Sequence, residues 1–599
     1  MALTDLFQAS RLPSVKAADL PGSLPSAKIP DTVDCVAVAQ HCLAYLSEPG
    51  PSHFTVDAIW RDVLALTGNF RTFYGSDRII SAWRQHCKGV STFIIHPETA
   101  RVARFGPSIA WIEAAFEFEV SSEPARSCTG IISLVPTDNE NTWKIWMLRT
   151  WVENLQACTN VDALHPGVSL AERRKPDLKA GDFECVVVGA GQAGLSTAGR
   201  LEALGVNYIL LESNANIGDN WRNRFDSARL HTPRNMAQLP FERTFAAGTH
   251  SQWLSKDELA DGYENWAKKY GIRVLTSTTL KKARWDSHLQ AWILTVWYNV
   301  DGILEEKSVT TQHLVLALGA GSQVPRIPSI PDHSAYSGEI LHSVTYKSSE
   351  KWKGKHAIVL GTGNTAHDVV EDMLSASLAS ITMVQRNPTF VIPQDHVVPL
   401  LEQLHNDTIP IELGDRLDMT MPTRITSALA KLGLAVAAAR EPHRYDDLER
   451  AGFKLDRNGD IIDVLYVRLG GHYLDKGVSR DIAAGKVRMK SDAQPVSFTS
   501  TGLLFSDGEA IDADVVVFCT GFVGNMREIA AEMIGGEATD HLEDFWGLDM
   551  EGEVRGAYKP LGYPGLWFMG GDCSMARFYS RFVALQVKAC LKGRPFKSY

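Results

Sequence analysis

The stretch that most constrains this chain runs from Cys185 to Glu212, CVVVGAGQAGLSTAGRLEALGVNYILLE. Its opening apolar run, following Phe183, predicts a strand buried on both faces. The run breaks at Gly189-Ala-Gly191-Gln192-Ala193-Gly194. In a strand-turn-helix dinucleotide site the first glycine permits the tight turn, and the second lets a pyrophosphate approach the backbone. The third lets the helix pack closely on its strand. The next segment carries apolar residues at Leu195, Ala198, Leu201 and Leu204, then Gly205, which suits a left-handed cap. A second strand, Val206 to Leu211, delivers Glu212, with Ser213 beside it. A carboxylate there accepts hydrogen bonds from an adenosine ribose and repels a 2′-phosphate. The first site is therefore expected to hold FAD or NAD rather than NADP.

The device then repeats. His356 to Leu360 is followed by Gly361-Thr362-Gly363-Asn364-Thr365-Ala366, a helical segment through Val369 and Met373, and a strand Ile381 to Gln385. Alanine at the third glycine position is allowed in this fingerprint. The second strand ends in Gln385-Arg386 instead of an acid, and a guanidinium there pairs bidentately with a 2′-phosphate. The second site is expected to select NADPH.

With 599 residues the chain has length for about three domains. The formal charge of −10 supplies no basic field for nucleic acid or an anionic membrane. Nine scattered cysteines include no CxxC pair, which fits a reducing, cytoplasmic setting and excludes a CxxC-dependent disulfide reductase. No uninterrupted apolar run approaches the roughly 18 residues of a membrane span, and the N-terminus has no secretory h-region. The most apolar candidate, Ile425 to Ala439, reads as a buried or partner-facing helix. Neither a metal-ligand cluster nor a hydrolytic triad is visible.

Residues 1–30 read as a flexible arm. Apolar spacing in Val33 to Leu46, Val56 to Leu66 and Ile79 to Trp83 predicts short helices. Strand-like runs follow at Phe93 to Ile95, Ser108 to Val120, Cys128 to Pro136 and Thr142 to Val152. Helices first and a meandering sheet afterwards give an α+β domain over 31–155. This order, ending in TWKIWMLRTWVEN, resembles the nuclear-transport-factor-2-like (NTF2-like) fold. Asp57, His86, His96 and Glu113 are candidate pocket residues there, with solvated or satisfied side chains as the simpler reading. Residues 156–180, with Pro166, Pro176 and the AERRK run, read as a charged linker.

After Glu212 the chain resembles the class B flavin-containing monooxygenases, in which a Gly-x-x-Trp segment folds over the flavin; Gly218, Trp221 and Arg222 match it. Arg229-Leu-His231-Thr-Pro-Arg234 and Leu239-Pro240 are most similar to the plant indole-3-pyruvate monooxygenase-like branch. The animal branch carries an Asn where His231 falls, which leaves His231 as a candidate donor to the flavin edge. Ala317-Leu318-Gly319 matches the family's exit from the flavin domain, and Thr520-Gly521 its return. Tyr336-x-Gly338-x-x-x-His342-x-x-x-Tyr346 resembles the family fingerprint, whose histidine positions domains and cofactors. Asp572, after Gly570-Gly571, resembles the residue that holds the ribityl or pyrophosphate region, or else simply caps the last helix.

The resemblance implies an α/β fold of two Rossmann-type domains, for FAD and NADPH, behind the smaller NTF2-like domain. The FAD-binding domain would take 181–340 and 511–599, and the NADPH-binding domain with its cap 341–510. It also implies a monooxygenase that inserts one oxygen atom of O2 into a small organic substrate, in secondary metabolism, through a flavin C4a-(hydro)peroxide. Baeyer–Villiger oxidation, oxidative decarboxylation and NADPH oxidation without oxygen insertion stay open. The expected partners are the substrate and O2, with a homodimer as one assembly.

Overall fold

The computed structural model describes residues 13–137, 142–167, 182–300, 302–319, 324–540 and 542–597. The first dinucleotide motif folds as anticipated. The strand Asp182–Val188 leads through the glycine turn into the helix Gln192–Ala203, and Tyr208–Leu211 lies parallel beside the first strand. The sheet runs in the order Val274–Leu275, Tyr208–Leu211, Asp182–Val188, Ile303–Leu316, Ala291–Val300, Thr278–Asp286, with the late strand Leu566–Phe568 on Ile303–Leu316. A segment from the far end of the sequence thus completes the first sheet. The helix Cys573–Leu591 that follows is buried along almost its whole length and packs on Gln192–Ala203.

The second motif builds a separate five-stranded parallel sheet, ordered Glu339–His342, Val515–Phe518, His356–Leu360, Ser380–Val384, Arg488–Lys490. Its inner strands, His356–Leu360 and Val515–Phe518, read as apolar runs because both faces are covered. Between its halves lie the cap helices Gln394–Leu401, Ile411–Met419, Thr423–Ala438 and Pro442–Arg450.

The N-terminal region holds a seven-stranded mixed sheet with the helices Cys35–Leu43 and Ser76–His86. Val56 to Leu66, expected as a helix, is instead part of the strand Phe54–Val63. That strand pairs antiparallel with Phe70–Tyr74 and parallel with Trp143–Leu155 and has core on both of its faces, and from Ala58 onward every residue is buried. A run buried on both faces carries no two-residue alternation, and its apolar spacing imitates a helix. The loose arm expected over 1–30 is also corrected over its described part. Ala17 and Leu20 are buried, and backbone bonds join Val15 to Leu548 and Ala17 to the Asp463 carboxylate.

The N-terminal sheet is locked to the rest of the chain by buried charges. Arg61 pairs with Glu553 at 2.7 Å, both nearly inaccessible to solvent. Arg149 donates to the Leu417 carbonyl at 3.0 Å. Glu153 and Asp162 share Arg416 and Arg581, and Asp162 also takes Arg200 from the first motif's helix. Asp162 falls in the stretch expected as a charged linker, and it is a half-buried junction of three guanidinium groups. The AERRK run lies outside the described residues.

Candidate functional site

Both glycine turns have the geometry their residues demand. Gly189 sits at φ +100, and a Cβ there would lie 2.4 Å from the Ala317 carbonyl. At Gly194 a Cβ would meet the Gly189 carbonyl at 1.8 Å, so helix and strand touch only because that position is bare. Gly191 faces open space, with Asn220 Nδ2 at 3.6 Å as the nearest atom to a Cβ there. A phosphate can approach the backbone where no side chain intervenes. In the second motif Gly361, at φ +123, backs onto the Cys519 carbonyl, while Gly363 has only the His472 carbonyl at 3.6 Å. Ala366 is fully buried, as the helix-packing position requires.

The two strand ends differ in charge as anticipated. Glu212 is buried, and its Oε2 accepts the Ala190 N–H of the glycine turn at 2.7 Å while Oε1 accepts from Asn214. The Ser213 hydroxyl lies 3.4 Å from the same carboxylate. Arg386 is exposed just past Ser380–Val384 and has no ion-pair partner among the described residues. Its neighbour Gln385 is fully buried and fixes this corner, donating to the Lys454 carbonyl and accepting the Lys454 N–H.

The helix starts carry the remaining motif residues. Gln192 Nε2 donates to the Gly571 carbonyl at 3.2 Å, tying the first turn to the returning chain, and Ala193 is buried beside it. Asn364 Oδ1 accepts the Leu474 N–H at 2.8 Å; Thr365 follows it in the helix Asn364–Ser375. Trp221 and Arg222 belong to the short helix Asp219–Arg222, which begins at left-handed Gly218. The Arg224 guanidinium covers the Trp221 ring at 4.6 Å. Arg222 is held by Asp219, Asp261 and Glu264, so it anchors the segment to the helix Lys256–Tyr270. Thr520 donates its hydroxyl to the Arg326 carbonyl, and Gly521 is exposed at φ +81 beside it. Asp572 is the cap of the last helix, accepting the Met575 N–H at 2.8 Å.

His231 is where the two halves meet. Its Nε2 lies 2.9 Å from Asp368 Oδ2, a residue of the second motif's helix, and Lys476 reaches the other oxygen at 2.6 Å. Burial alone would raise the Asp368 carboxyl, but His231 and Lys476 outweigh it and hold it below the usual carboxylate range. The Asp226 N–H donates to the Lys347 carbonyl, and Lys347 Nζ to the Asn223 carbonyl. The segment that follows Glu212 therefore contacts both the second motif's helix and the stretch leading into it. His342 is 5 % exposed and packs edge-on to Phe522, with rings 5.2 Å apart; burial lowers its pKa, the Gly521 backbone pulling the other way.

The candidate pocket residues of the N-terminal domain have the surroundings of the simpler reading. Glu113 is consumed by Arg101 and Arg149, His96 lies between Glu98 and Glu117, and Asp57 is exposed and takes the Ser23 hydroxyl. Sequence reading also passed over Asp368, Lys476 and Asn235. Asn235 is buried four residues past His231, and its Oδ1 has no hydrogen-bond partner among the described residues. Among the described residues Asp395, His396 and Glu441 are close enough to hold a metal ion, but Arg444 already spans both carboxylates.

Two glycine turns, each following a strand with a parallel neighbour and each paired with a strand end of opposite charge, have the form of two dinucleotide sites. Residues 183–464 match the pyridine nucleotide-disulphide oxidoreductase family, although the chain has no CxxC pair. The indole-3-pyruvate monooxygenase YUCCA1 of Oryza sativa subsp. japonica is 27% identical over 353 residues, 57% of this chain and 77% of that protein. The FAD-containing monooxygenase EthA of Mycolicibacterium smegmatis is 26% identical over 370 residues, 57% and 69% of the two chains. The fold is also that of OTEMO in complex with FAD and NADP, with a TM-score of 0.50 and 18% identity over 69% of this chain and 85% of that one. The chain is thus similar to flavin-dependent monooxygenases in sequence and shares their fold.

Proposed function

We propose that this protein is an NADPH- and FAD-dependent monooxygenase acting on a small organic substrate. The observation that carries the reading is the pair of open glycine turns, with Glu212 at the first and, at the second, an exposed Arg386 that has no ion-pair partner among the described residues. FAD fits the first turn, where Gly191 leaves the backbone open and Glu212 is poised for ribose hydroxyls; NADPH fits the second, where Arg386 offers a free guanidinium. The bound cofactors supply hydride transfer and oxygen activation.

The chain's own groups bind and orient. Gly191, Gln192 and Ala193 at one helix start, and Gly363, Asn364 and Thr365 at the other, present backbone N–H groups to phosphates. Arg386 selects the 2′-phosphate. His231, Asp368 and Lys476 clamp one half against the other, and His342 with Phe522 seats the strand Glu339–His342 beside the return segment. His231 on this reading is a positioning residue. Few ionisable groups are needed, because the protein's part is to orient the reactants and keep water out.

The same reading divides the chain into a flavin-binding domain over 181–340 and 511–599, a nicotinamide-binding domain with its cap over 341–510, and an NTF2-like domain over 31–155. No helix among the described residues is long and apolar enough to cross a membrane. The scattered cysteines favour a cytoplasmic setting.

The test is to purify the yellow protein and follow NADPH oxidation with amines, sulfides, ketones and 2-oxo acids under isotopically labelled O2. One labelled oxygen in the product, with little hydrogen peroxide, is expected. Stoichiometric peroxide with every substrate class would replace oxygen insertion by an NADPH oxidase activity.

A further inference from the structure

A cavity of about 300 Å³ lies in the cap, between the strand Phe390–Pro393 and the helix Thr423–Ala438, and belongs to neither glycine turn. Its walls are mostly apolar, with Phe390, Ile392 and Leu434 among them. Lys431, Asp456, Arg457 and Asn458 also line it, and His396 and Tyr445 are the polar groups set beside the apolar wall. The His396 side chain is 8 % exposed, and its Nδ1 has no hydrogen-bond partner among the described residues. Its Nε2 lies 3.3 Å from Glu441 Oε2. A carboxylate only accepts, so Nε2 carries a proton, and in the neutral form of the ring Nδ1 keeps a buried lone pair. Such an acceptor is costly to bury unless a donor reaches it. The Tyr445 hydroxyl, its pKa pushed up to about 12 by burial, stays protonated as a second polar contact.

We propose that this cap cavity is a binding site for a small apolar molecule carrying one O–H or N–H donor, of the size of a phenol or an indole. The volume falls at the lower end of ligand pockets, which span roughly 300–1,000 Å³. The apolar body packs on Phe390 and Leu434, and the donor satisfies His396 Nδ1. A metal ion is not the occupant, because Arg444 already fills the space between Asp395 and Glu441. The strand Phe390–Pro393 pairs with His472–Asp475, whose Leu474 N–H holds Asn364. The ligand therefore sits one strand away from the second glycine turn, in a site of its own.

Calorimetric titration of the full flavin-loaded chain with phenol and with anisole, which lacks the O–H, tests this. Phenol should bind at one site, roughly tenfold tighter than anisole, the usual worth of a hydrogen bond to a buried acceptor. His396→Phe should erase that preference. Ala435→Trp, from a position at the cavity mouth, should abolish phenol binding while FAD content stays at the unmodified level. Equal affinity for phenol and anisole, no binding at all, or phenol binding unchanged in Ala435→Trp would overturn the proposal. A water held permanently on Nδ1 would give the first of these results.

Discussion

Replacing Arg386 by alanine isolates the charge that the second strand end presents. The side chain is exposed and has no ion pair among the described residues, so its removal leaves no buried partner stranded and should cost the fold little. Its value lies in what it offers a bound nucleotide. A bidentate guanidinium–phosphate contact comprises charge-assisted hydrogen bonds worth about 1.5–3 kcal/mol. At roughly 1.4 kcal/mol per factor of ten, Arg386→Ala should lower kcat/KM for NADPH about 10- to 150-fold. NADH has no 2′-phosphate, and its kcat/KM should change less than about twofold. Because the contact is exposed, the gap between the two nucleotides should narrow as salt rises from 0.05 to about 0.5 M. Stopped-flow measurement of flavin reduction with each nucleotide reads the effect before oxygen enters. Equal losses with NADPH and NADH would refute the assignment, because damage to the turn, not charge recognition, would then explain the result.

Further outcomes follow from other parts of the structure. Glu553→Gln strips the charge from a fully buried partner of Arg61 and should lower unfolding stability by about 3–5 kcal/mol in urea titration, with Arg61→Met/Glu553→Met recovering part of it. Gly194→Ala places a methyl 1.8 Å from the Gly189 carbonyl, so the purified protein should lose most of its FAD absorbance while the second turn still protects against proteolysis with NADP+ added. Burial would raise Glu153, but Arg581 and Arg416 outweigh it and bring its carboxyl from 4.5 down to about 2. A depressed carboxyl contributes stability above its unfolded value and loses it as pH falls through the folded one. Thermal unfolding should therefore show a loss of Tm between pH 4.5 and 2 that Glu153→Gln largely removes.

What the sequence alone determined is the local chemistry of the two turns. Gly189, Gly194 and Gly361 declare themselves because a positive φ or a missing Cβ is a requirement of a few adjacent residues, readable without knowing what lies across the fold. The opposite charges of Glu212 and Arg386 were legible for the same reason, each being the next charged residue after its strand. Only the tertiary structure decided what those turns face. The His231–Asp368 contact joins residues 137 positions apart, and Arg61–Glu553 joins residues 492 apart, pairings on which spacing is silent. Val56 to Leu66 was misread because a strand covered on both faces loses its alternation, and that covering comes from the helix Ser76–His86 on one face and from Leu20, Ile425 and Glu553 on the other. Backbone geometry is written in short stretches of chain, whereas burial and ion pairing depend on which distant segments the completed fold brings together.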